Sequence, residues 1–396
     1  MGGEAGQGLG LRVLQIHTRY REPGGEDTVA ATEAALLRRA GHDVVQHAPR
    51  NPHGALAAGA ALALSAWNPF AAREVAALVE RQRPDVAHVH NTWFASTVSV
   101  VAALAARGVP VVVTLHNYRL VCANAMLHRD GRPCEDCVGR LPWPAVRHRC
   151  YRGSLPASLA AATAVAADRR TWASAVDVFL VLSDFARERF VRAGLPAGRL
   201  RVTPNVVADP GPRPQPPSRS GTVVFAGRLS PEKGVDVLLD AWARAAPPGL
   251  ELLVVGDGPA RAALQPRAPA GVTFTGRLAP DEVSALLRRA RAAVLPSLWY
   301  EGQPMIVLEA FSAGLPVVGS DLGGIPELLA GQGDGWLAAP GDADAWASAL
   351  ARLRDDDLVD AAGAAARRTW QQRHSPEAGL RALEAAYAQA QARRRA

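Results

Sequence analysis

Residues 223–234 read VVFAGRLSPEKG. Four apolar residues suited to a buried strand run into Gly227, and Pro231 and Gly234 punctuate the turn that follows. The next residues, VDVLL at 235–239, return to helical spacing. A strand that passes through a glycine turn into a helix is the unit of a parallel sheet covered on both faces.

The unit recurs in both directions. Downstream, residues 251–255, 272–274, 293–295 and 316–320 are strand candidates separated by helical stretches. The segment FTGRLAPDE at 274–282 echoes FAGRLSPE at 225–232, which we read as one strand-turn-helix solution used twice, not as a repeat array. Upstream, residues 209–220 (DPGPRPQPPSRS) hold five prolines in twelve positions and cannot continue a helix or a central strand. Before that linker lie strand candidates at 11–17 (LRVLQIH), 44–45, 86–90, 111–116 and 178–182. Pro23-Gly24-Gly25 breaks the first of them before a helix with Val29, Ala30, Leu36 and Leu37 on one face, and Ser183 caps another after 178–182. The expected fold is α/β, with two tandem Rossmann-like, doubly wound domains facing across a cleft. Their expected bounds are 1–209, a linker at 210–220, 221–373, and a tail at 374–396. Within the tail, 375–392 reads as one Ala-rich helix returning to the first domain.

Composition agrees with two cores. The chain has 396 residues, 48% hydrophobic and 20% charged, which excludes intrinsic disorder. Its longest weakly polar run, 54–67, is shorter than the ~18 residues a membrane span needs. Residues 1–10 lack a charged start followed by an apolar core, so no signal peptide is expected and the chain reads as soluble and cytoplasmic. The net charge of +7 is uneven. Residues 1–209 carry 24 Arg against 17 Asp and Glu, whereas 210–396 carry 20 basic and 20 acidic residues. Eight Arg fall within 107–152. A basic half suits an anionic partner, a membrane face, a phosphorylated acceptor or nucleic acid, or is ordinary solvated surface. Of the 44 basic residues only Lys233 is a lysine. Arginine and lysine are interchangeable on a wet surface but not where a compact ammonium must reach one oxygen, so Lys233 reads as a residue with a task.

Ligands of doubly wound sheets bind outside the carboxyl ends of the strands, so the post-strand turns carry the chemistry. Gly24-Gly25-Glu26 follows the first strand and opens a helix whose N–H groups could meet an anion. Arg228 and Lys233 share one turn and suit a diphosphate. Glu301-Gly302-Gln303-Pro304 follows the strand ending at Leu295. Pro304 is expected as first helical residue, leaving the N–H groups of Met305 and Ile306 free. Glu309 is then a lone carboxylate on an apolar helix and needs a partner, a sugar hydroxyl pair or a nearby Arg.

These motifs resemble the retaining family 4 glycosyltransferases of GT-B fold, which move a sugar from a nucleotide diphosphate. The resemblance runs from the first strand to the tail and is most specific at 225–234 and 301–309. It implies that Arg228 and Lys233 hold the donor diphosphate, that Glu309 binds the ribose, and that Glu301 contacts the transferred sugar. Residues Gly302, Gln303, Pro304, Met305 and Ile306 would supply main-chain donors. Gly24 and Gly25 would approach the diphosphate from the other domain, and His116 would touch the sugar. Asn205 would match a hinge motif, Gly256 (in Gly256-Asp257-Gly258) a donor-side loop, and the backbone near Arg277 and Leu278 would read the base. Retention of the anomeric centre is implied in the same way, as is a basic acceptor-binding first domain. The donor would be a UDP or GDP sugar and the acceptor a glycan, a lipid-linked saccharide or a small molecule, as in polysaccharide biosynthesis. Gln303 and Pro304 stand where many relatives have Phe and Gly. No Asp-x-Asp motif is present, so Arg228 and Lys233 are expected to neutralise the diphosphate without a catalytic metal.

All four cysteines, Cys122, Cys134, Cys137 and Cys150, fall within 29 residues. In a cytoplasmic chain this clustering favours a structural Zn²⁺, with free thiols and disulfides as the other states. The loop 122–150 follows His116 and would border the acceptor side. Two other functions stay open: a sugar-nucleotide 2-epimerase of the same fold, for which no acid-base carboxylate pair is evident, and a zinc-stapled nucleic-acid binder. No aromatic-interleaved basic stripe supports the second, so no nucleic-acid partner is expected. Peripheral attachment to the inner membrane face follows from the basic first half.

Overall fold

In a computed structural model the described residues are 10–20, 24–51, 54, 59, 61–245, 248–329 and 333–396. The readings of residues 1–9, of Pro23 and of most of 54–60 lie outside them.

Valine-rich runs give six parallel strands at the start of the chain: β1 (Arg12–His17), β2 (Asp43–His47), β3 (Val86–Asn91), β4 (Val111–Leu115), then β7 (Val178–Val181) and β8 (Leu200–Val202). Between β4 and β7 a minimal antiparallel hairpin is formed by β5 (His128–Arg129) and β6 (Arg132–Pro133). The large sheet runs β2-β1-β3-β4-β7-β8. The second sheet contains β9 (Thr222–Ala226), β10 (Glu251–Val255), β11 (Val272–Gly276), β12 (Ala292–Leu295), β13 (Val317–Ser320) and β14 (Gly335–Ala338), in the order β11-β10-β9-β12-β13-β14. Every pairing in the two large sheets is parallel. Strands β8 and β14 were not among the sequence candidates, because three or four residues with one exposed face carry little hydrophobic signal.

Each sheet is buried on both faces, as a parallel sheet requires. One face of the first sheet packs Leu14, Ile16, Val89, Val113 and Phe179 beneath helices, and the other packs Val13, Val86, Val112 and Val178. That second face is closed by the helix Pro376–Arg395, whose Leu383, Ala386, Tyr387 and Ala390 form an apolar stripe at helical spacing. Ser375 caps this helix by accepting from the Ala378 N–H at 3.3 Å. Arg394, near its end, pairs with Asp177 at 2.6 Å. The chain therefore leaves the second sheet and returns to the first. At the crossing, the Trp370 indole donates to the Val207 carbonyl (3.1 Å) and the Val207 N–H to His374 (3.1 Å).

Open parallel sheets make their ligand crevice where neighbouring strands send their connections to opposite faces. In the first sheet that point lies between β1 and β3, and in the second between β9 and β12. The carboxyl ends of these strands hold His17, Asn91, Gly227 and the loop after Leu295.

Candidate active site

The β9 turn builds the cationic wall. Residues Pro231–Lys233 form one turn of 3-10 helix that ends at Gly234, with φ +64°. A Cβ there would sit 2.1 Å from the Pro296 carbonyl oxygen, so glycine lets the turn lie directly on the chain after β12. This contact carries the Lys233 ammonium to Glu301, Nζ to Oε1 2.7 Å. The same carboxylate oxygen accepts from Ser297 Oγ at 2.6 Å. Glu301 is buried (5% exposed), and these two donors offset the cost of burying its charge. The Lys233 ammonium also lies 5.3 Å from the Trp299 ring centroid.

Pro304 is the residue before the helix and not its first residue. Its ψ of 120° is extended while its carbonyl already accepts from the Val307 N–H (3.0 Å), which makes it the N-cap of Met305–Ser312. The Met305 and Ile306 N–H groups have no partner among the described residues. Across the gap, Gly24 is likewise an N-cap: its N–H donates to the Asp27 carboxylate at 2.9 Å, and the helix Gly25–Arg39 begins behind it. Gly25 faces Met305, whose Cγ would be 3.8 Å from an added Cβ. Two helix N-termini thus oppose one another across one cleft, an arrangement that favours an anion between them.

The cleft has a volume of about 390 Å³. It brings together Gly25, His116, Asn205, Lys233, Glu301, Gly302, Gln303, Pro304, Met305 and Ile306 from the predicted set. His116 follows directly on β4, and its Nε2 is 3.0 Å from His90 Nδ1 with the rings stacked at 15°. Burial lowers its pKa. Gln303 is committed to a cross-sheet contact. Its Oε1 accepts the Asn205 N–H at 2.5 Å, and its Nε2 lies 3.5 Å from the Leu182 carbonyl. Gln303 therefore joins the two halves of the chain.

Other predicted residues stand apart from the lining. Arg228 is exposed beside the lining residue Gly227, and its guanidinium has no partner among the described residues. Gly256 supports the turn from behind: with φ +133°, its missing Cβ would fall 1.9 Å from the Gly227 carbonyl oxygen. Arg277 and Leu278 follow β11, outside the lining, with Leu278 packed on the second core. Glu309 lies one turn beyond the helix start. Its carboxylate is largely buried and has no hydrogen-bond or ion-pair partner among the described residues, and burial raises its pKa. The nearby Arg considered from sequence is not there. The four cysteines line one small pocket with His128 and Asn124, and no disulfide joins them. Burial and the neighbouring sulfurs push the Cys137 thiol up to about 12.

Sequence reading passed over three groups. Glu26 lines the cleft and accepts from Tyr20 (2.9 Å) and Asn117 (2.6 Å). Its place directly after Gly24-Gly25 was the available signal. Trp299 lines the cleft with its buried indole N–H unpaired. A buried cluster of Glu33, His88 and His90 lies behind His116. The alternation His88-Val89-His90 on one strand puts both rings on one face, which could have marked it.

Comparison with known proteins follows the two sheets. Residues 23–209 match a family model described as Glycosyltransferase Family 4, and residues 220–356 one described as Glycosyl transferases group 1. The chain is 31% identical to 2-deoxystreptamine glucosyltransferase of Streptomyces kanamyceticus over 318 residues, 77% of each chain. It is 33% identical to an exopolysaccharide phosphotransferase of Streptomyces coelicolor over 47% of this chain but 20% of that one. Against a GDP-mannose-dependent alpha-(1-6)-phosphatidylinositol monomannoside mannosyltransferase of Mycobacterium tuberculosis, identity is 34% over 48% of this chain and 56% of the relative. The chain thus spans a fifth and about half of the last two proteins. Among solved structures, Anabaena HepE in complex with UDP superposes with a TM-score of 0.67 at 19% identity, covering 95% of this chain and 99% of that one. Sucrose-phosphate synthase of Thermosynechococcus elongatus gives 0.68 at 18% identity, over 96% and 98%. Two parallel sheets facing a shared crevice, family matches on both and a relative aligned over 77% of its length place this chain in the family 4 glycosyltransferases of GT-B fold.

Proposed function

We propose that the chain transfers a hexose from a nucleotide-diphosphate donor to a hydroxyl acceptor, with retention at the anomeric carbon. The observation that carries this reading is the convergence of Lys233, the unpaired Met305 and Ile306 N–H groups and His116 on one cleft. A pyrophosphate seated there would meet an ammonium, two helix N-termini and, from the rim, the Arg228 guanidinium. These groups stabilise the negative charge that develops on the leaving nucleotide diphosphate, while the opposed lobes hold the acceptor in line. Lys233, Arg228 and the amides supply the neutralisation that a divalent metal gives other transferases, so activity should survive chelation by EDTA. Glu309, buried and unpartnered, is suited to a pair of ribose hydroxyls. Glu301 would exchange part of its Lys233 contact for a sugar hydroxyl. UDP and GDP donors both fit this description; a hydrolysis screen over sugar nucleotides decides between them without an acceptor. Absence of hydrolysis and of nucleotide-diphosphate binding would defeat the reading. Neither a sugar-nucleotide 2-epimerase nor a nucleic-acid binder gains support from the matches.

In this reading residues 1–209 bind the acceptor, 210–220 link the lobes, 221–373 bind the donor and 374–396 return to the first lobe. No helix among the described residues is long and apolar enough to cross a membrane. Leu141 (62% exposed) and Trp143 (65% exposed) nevertheless stand out among Arg140, Arg147 and Arg149, a surface suited to an anionic lipid face and so to a lipid-linked glycan. Reversing the three arginines should abolish recruitment to anionic vesicles at low salt, each contact being worth about 1 kcal/mol. For the cysteines a structural Zn²⁺ is the favoured state, because four thiols line one pocket in a segment whose only strands are two residues long. No three of the sulfurs lie within 4.8 Å of one another, so the thiols must rotate inward to share an ion. Metal analysis of protein purified without added metal should find about one Zn²⁺ per chain; none would leave free thiols.

A further inference from the structure

We infer that His90 is a positioning residue that fixes His116 as a hydrogen-bond donor, through a directed chain that begins at Arg38 on the surface. The inference rests on His116 facing the substrate, as in the reading above, and adds what that ring presents to it.

The direction of the chain comes from groups that have only one choice. A guanidinium can only donate. Arg38 donates to Gln46 Oε1 at 3.1 Å, which turns the Gln46 amide nitrogen toward Gln15. That nitrogen donates to Gln15 Oε1 at 2.7 Å. The Gln15 nitrogen is pinned a second time, because it donates to the Ala30 carbonyl at 2.9 Å. The same Gln15 nitrogen lies 3.2 Å from His90 Nε2. A donor faces that atom, so His90 Nε2 accepts and the neutral ring carries its proton on Nδ1. His90 Nδ1 is 3.0 Å from His116 Nε2 and donates to it. His116 therefore holds its own proton on Nδ1, the nitrogen left for a ligand in the cleft.

The surroundings keep His90 neutral. It is buried among Glu33, His88, His116 and His17, whose ring stands edge-on at 6.1 Å. His17 pairs with Asp27 at 2.9 Å, and His88 is held by Thr114 (2.7 Å) and Tyr387 (2.9 Å). Glu33 Oε2 lies 3.5 Å from His90 Nε2 with no hydrogen-bond partner. Burial pushes the Glu33 carboxyl up to about 8, so at neutral pH it carries no negative charge that would draw a second proton onto the His90 ring. The Gln15 amide is thus the donor that occupies the His90 Nε2 lone pair. The ligand atom that His116 addresses must then be an acceptor oxygen. A ring that offers Nδ1–H and whose Nε2 is occupied can orient a sugar hydroxyl or a phosphoryl oxygen but cannot take a proton from one.

The test reads the tautomer directly in the full chain carrying ¹⁵N-histidine. Two-bond ¹H–¹⁵N correlation should show His116 and His90 both protonated at Nδ1. A His116 ring protonated at Nε2 would overturn the inference, whatever the nucleotide affinity. In the variant His90→Asn the amide nitrogen stands close to where Nδ1 was, so the His116 tautomer should persist. In His90→Phe the donor is lost and the His116 signals should move toward a mixture. If His90→Phe does not fold, the wild-type spectrum still decides. Donor turnover by the screen above should fall about tenfold in His90→Phe and within about threefold in His90→Asn, while nucleoside-diphosphate affinity stays unchanged in both. Equal turnover in the two variants would leave His90 no positioning role. Lack of any turnover in wild type would count against the transferase reading and leave the tautomer result standing.

Discussion

The two lobes offer the same architecture and opposite chemistry. In the second, the crevice between β9 and β12 is lined by the Lys233 ammonium, paired with Glu301, and by unpaired helix N–H groups, with the Arg228 guanidinium exposed beside it. In the first, the crevice between β1 and β3 is backed by histidines that burial keeps neutral, with Glu33 protonated among them. The difference follows from depth. The second lobe's charges sit on turns outside the strand ends, where water and a ligand can compensate them. The first lobe's polar groups, His88 and His90 on β3 and Glu33 on the helix Gly25–Arg39 packed over it, are buried where only the neutral forms are tolerable. One lobe is built to hold charge, the other to direct hydrogen bonds toward neutral oxygens.

The hardest test of the comparison is Lys233→Ala. It removes a charge-assisted contact and leaves Glu301 buried without its ion-pair partner, so diphosphate affinity should drop by about 2–3 kcal/mol. Calorimetry with a nucleoside diphosphate and with the bare nucleoside separates the roles. A loss confined to the diphosphate supports the charge-holding lobe, whereas equal losses would make Lys233 structural.

The next test addresses the first lobe through pH. The Glu33 carboxyl is raised to about 8 in the folded protein from an unfolded value near 4.5, so between these values the folded form holds a proton the unfolded form has lost. Stability therefore falls as pH rises through that window, by up to about 1.4 kcal/mol per pH unit. His88, lowered to about 3, acts with the opposite slope, which is exhausted by about pH 6.5. Between pH 6.5 and 8 the wild type should lose denaturant stability and Glu33→Gln should not, before the buried cysteine thiols begin to contribute in both proteins. Parallel curves would show that the cluster is not the neutral device described.

A smaller effect concerns the seam between the lobes. Glu327 of the second lobe accepts the backbone N–H groups of Asp184 (2.7 Å) and Phe185 (2.5 Å) at the start of the helix Asp184–Arg192 in the first. Glu327→Ala should cost about 1 kcal/mol of lobe closure, visible as a larger radius of gyration in solution scattering and a severalfold weaker apparent donor affinity. Gln303→Ala should do less, because it removes one neutral contact to Asn205.

How much of this was legible beforehand depends on the range of the interaction. Strand-turn-helix units, the proline linker and the Lys233 turn are set by neighbours within about ten residues, so their pattern stands in the chain itself. The partnerships of Lys233 with Glu301, Gln303 with Asn205 and His90 with His116 span 68, 98 and 26 residues and depend on where the strands end in space. Gln303 could be singled out as unusual, but its neighbour could not be named. Glu309 could be flagged as lacking a partner, and the packing shows that no side chain among the described residues supplies one. The sequence by itself determined the alternation, the division into two halves and the residue types at each post-strand turn. Only the tertiary structure decided which turns face one another, and which buried histidine may carry a proton on which nitrogen. The reason is physical: amphipathic periodicity is a local property of the chain, whereas the direction of a hydrogen-bond chain is fixed by donors brought together from β1, β2, β3 and β4.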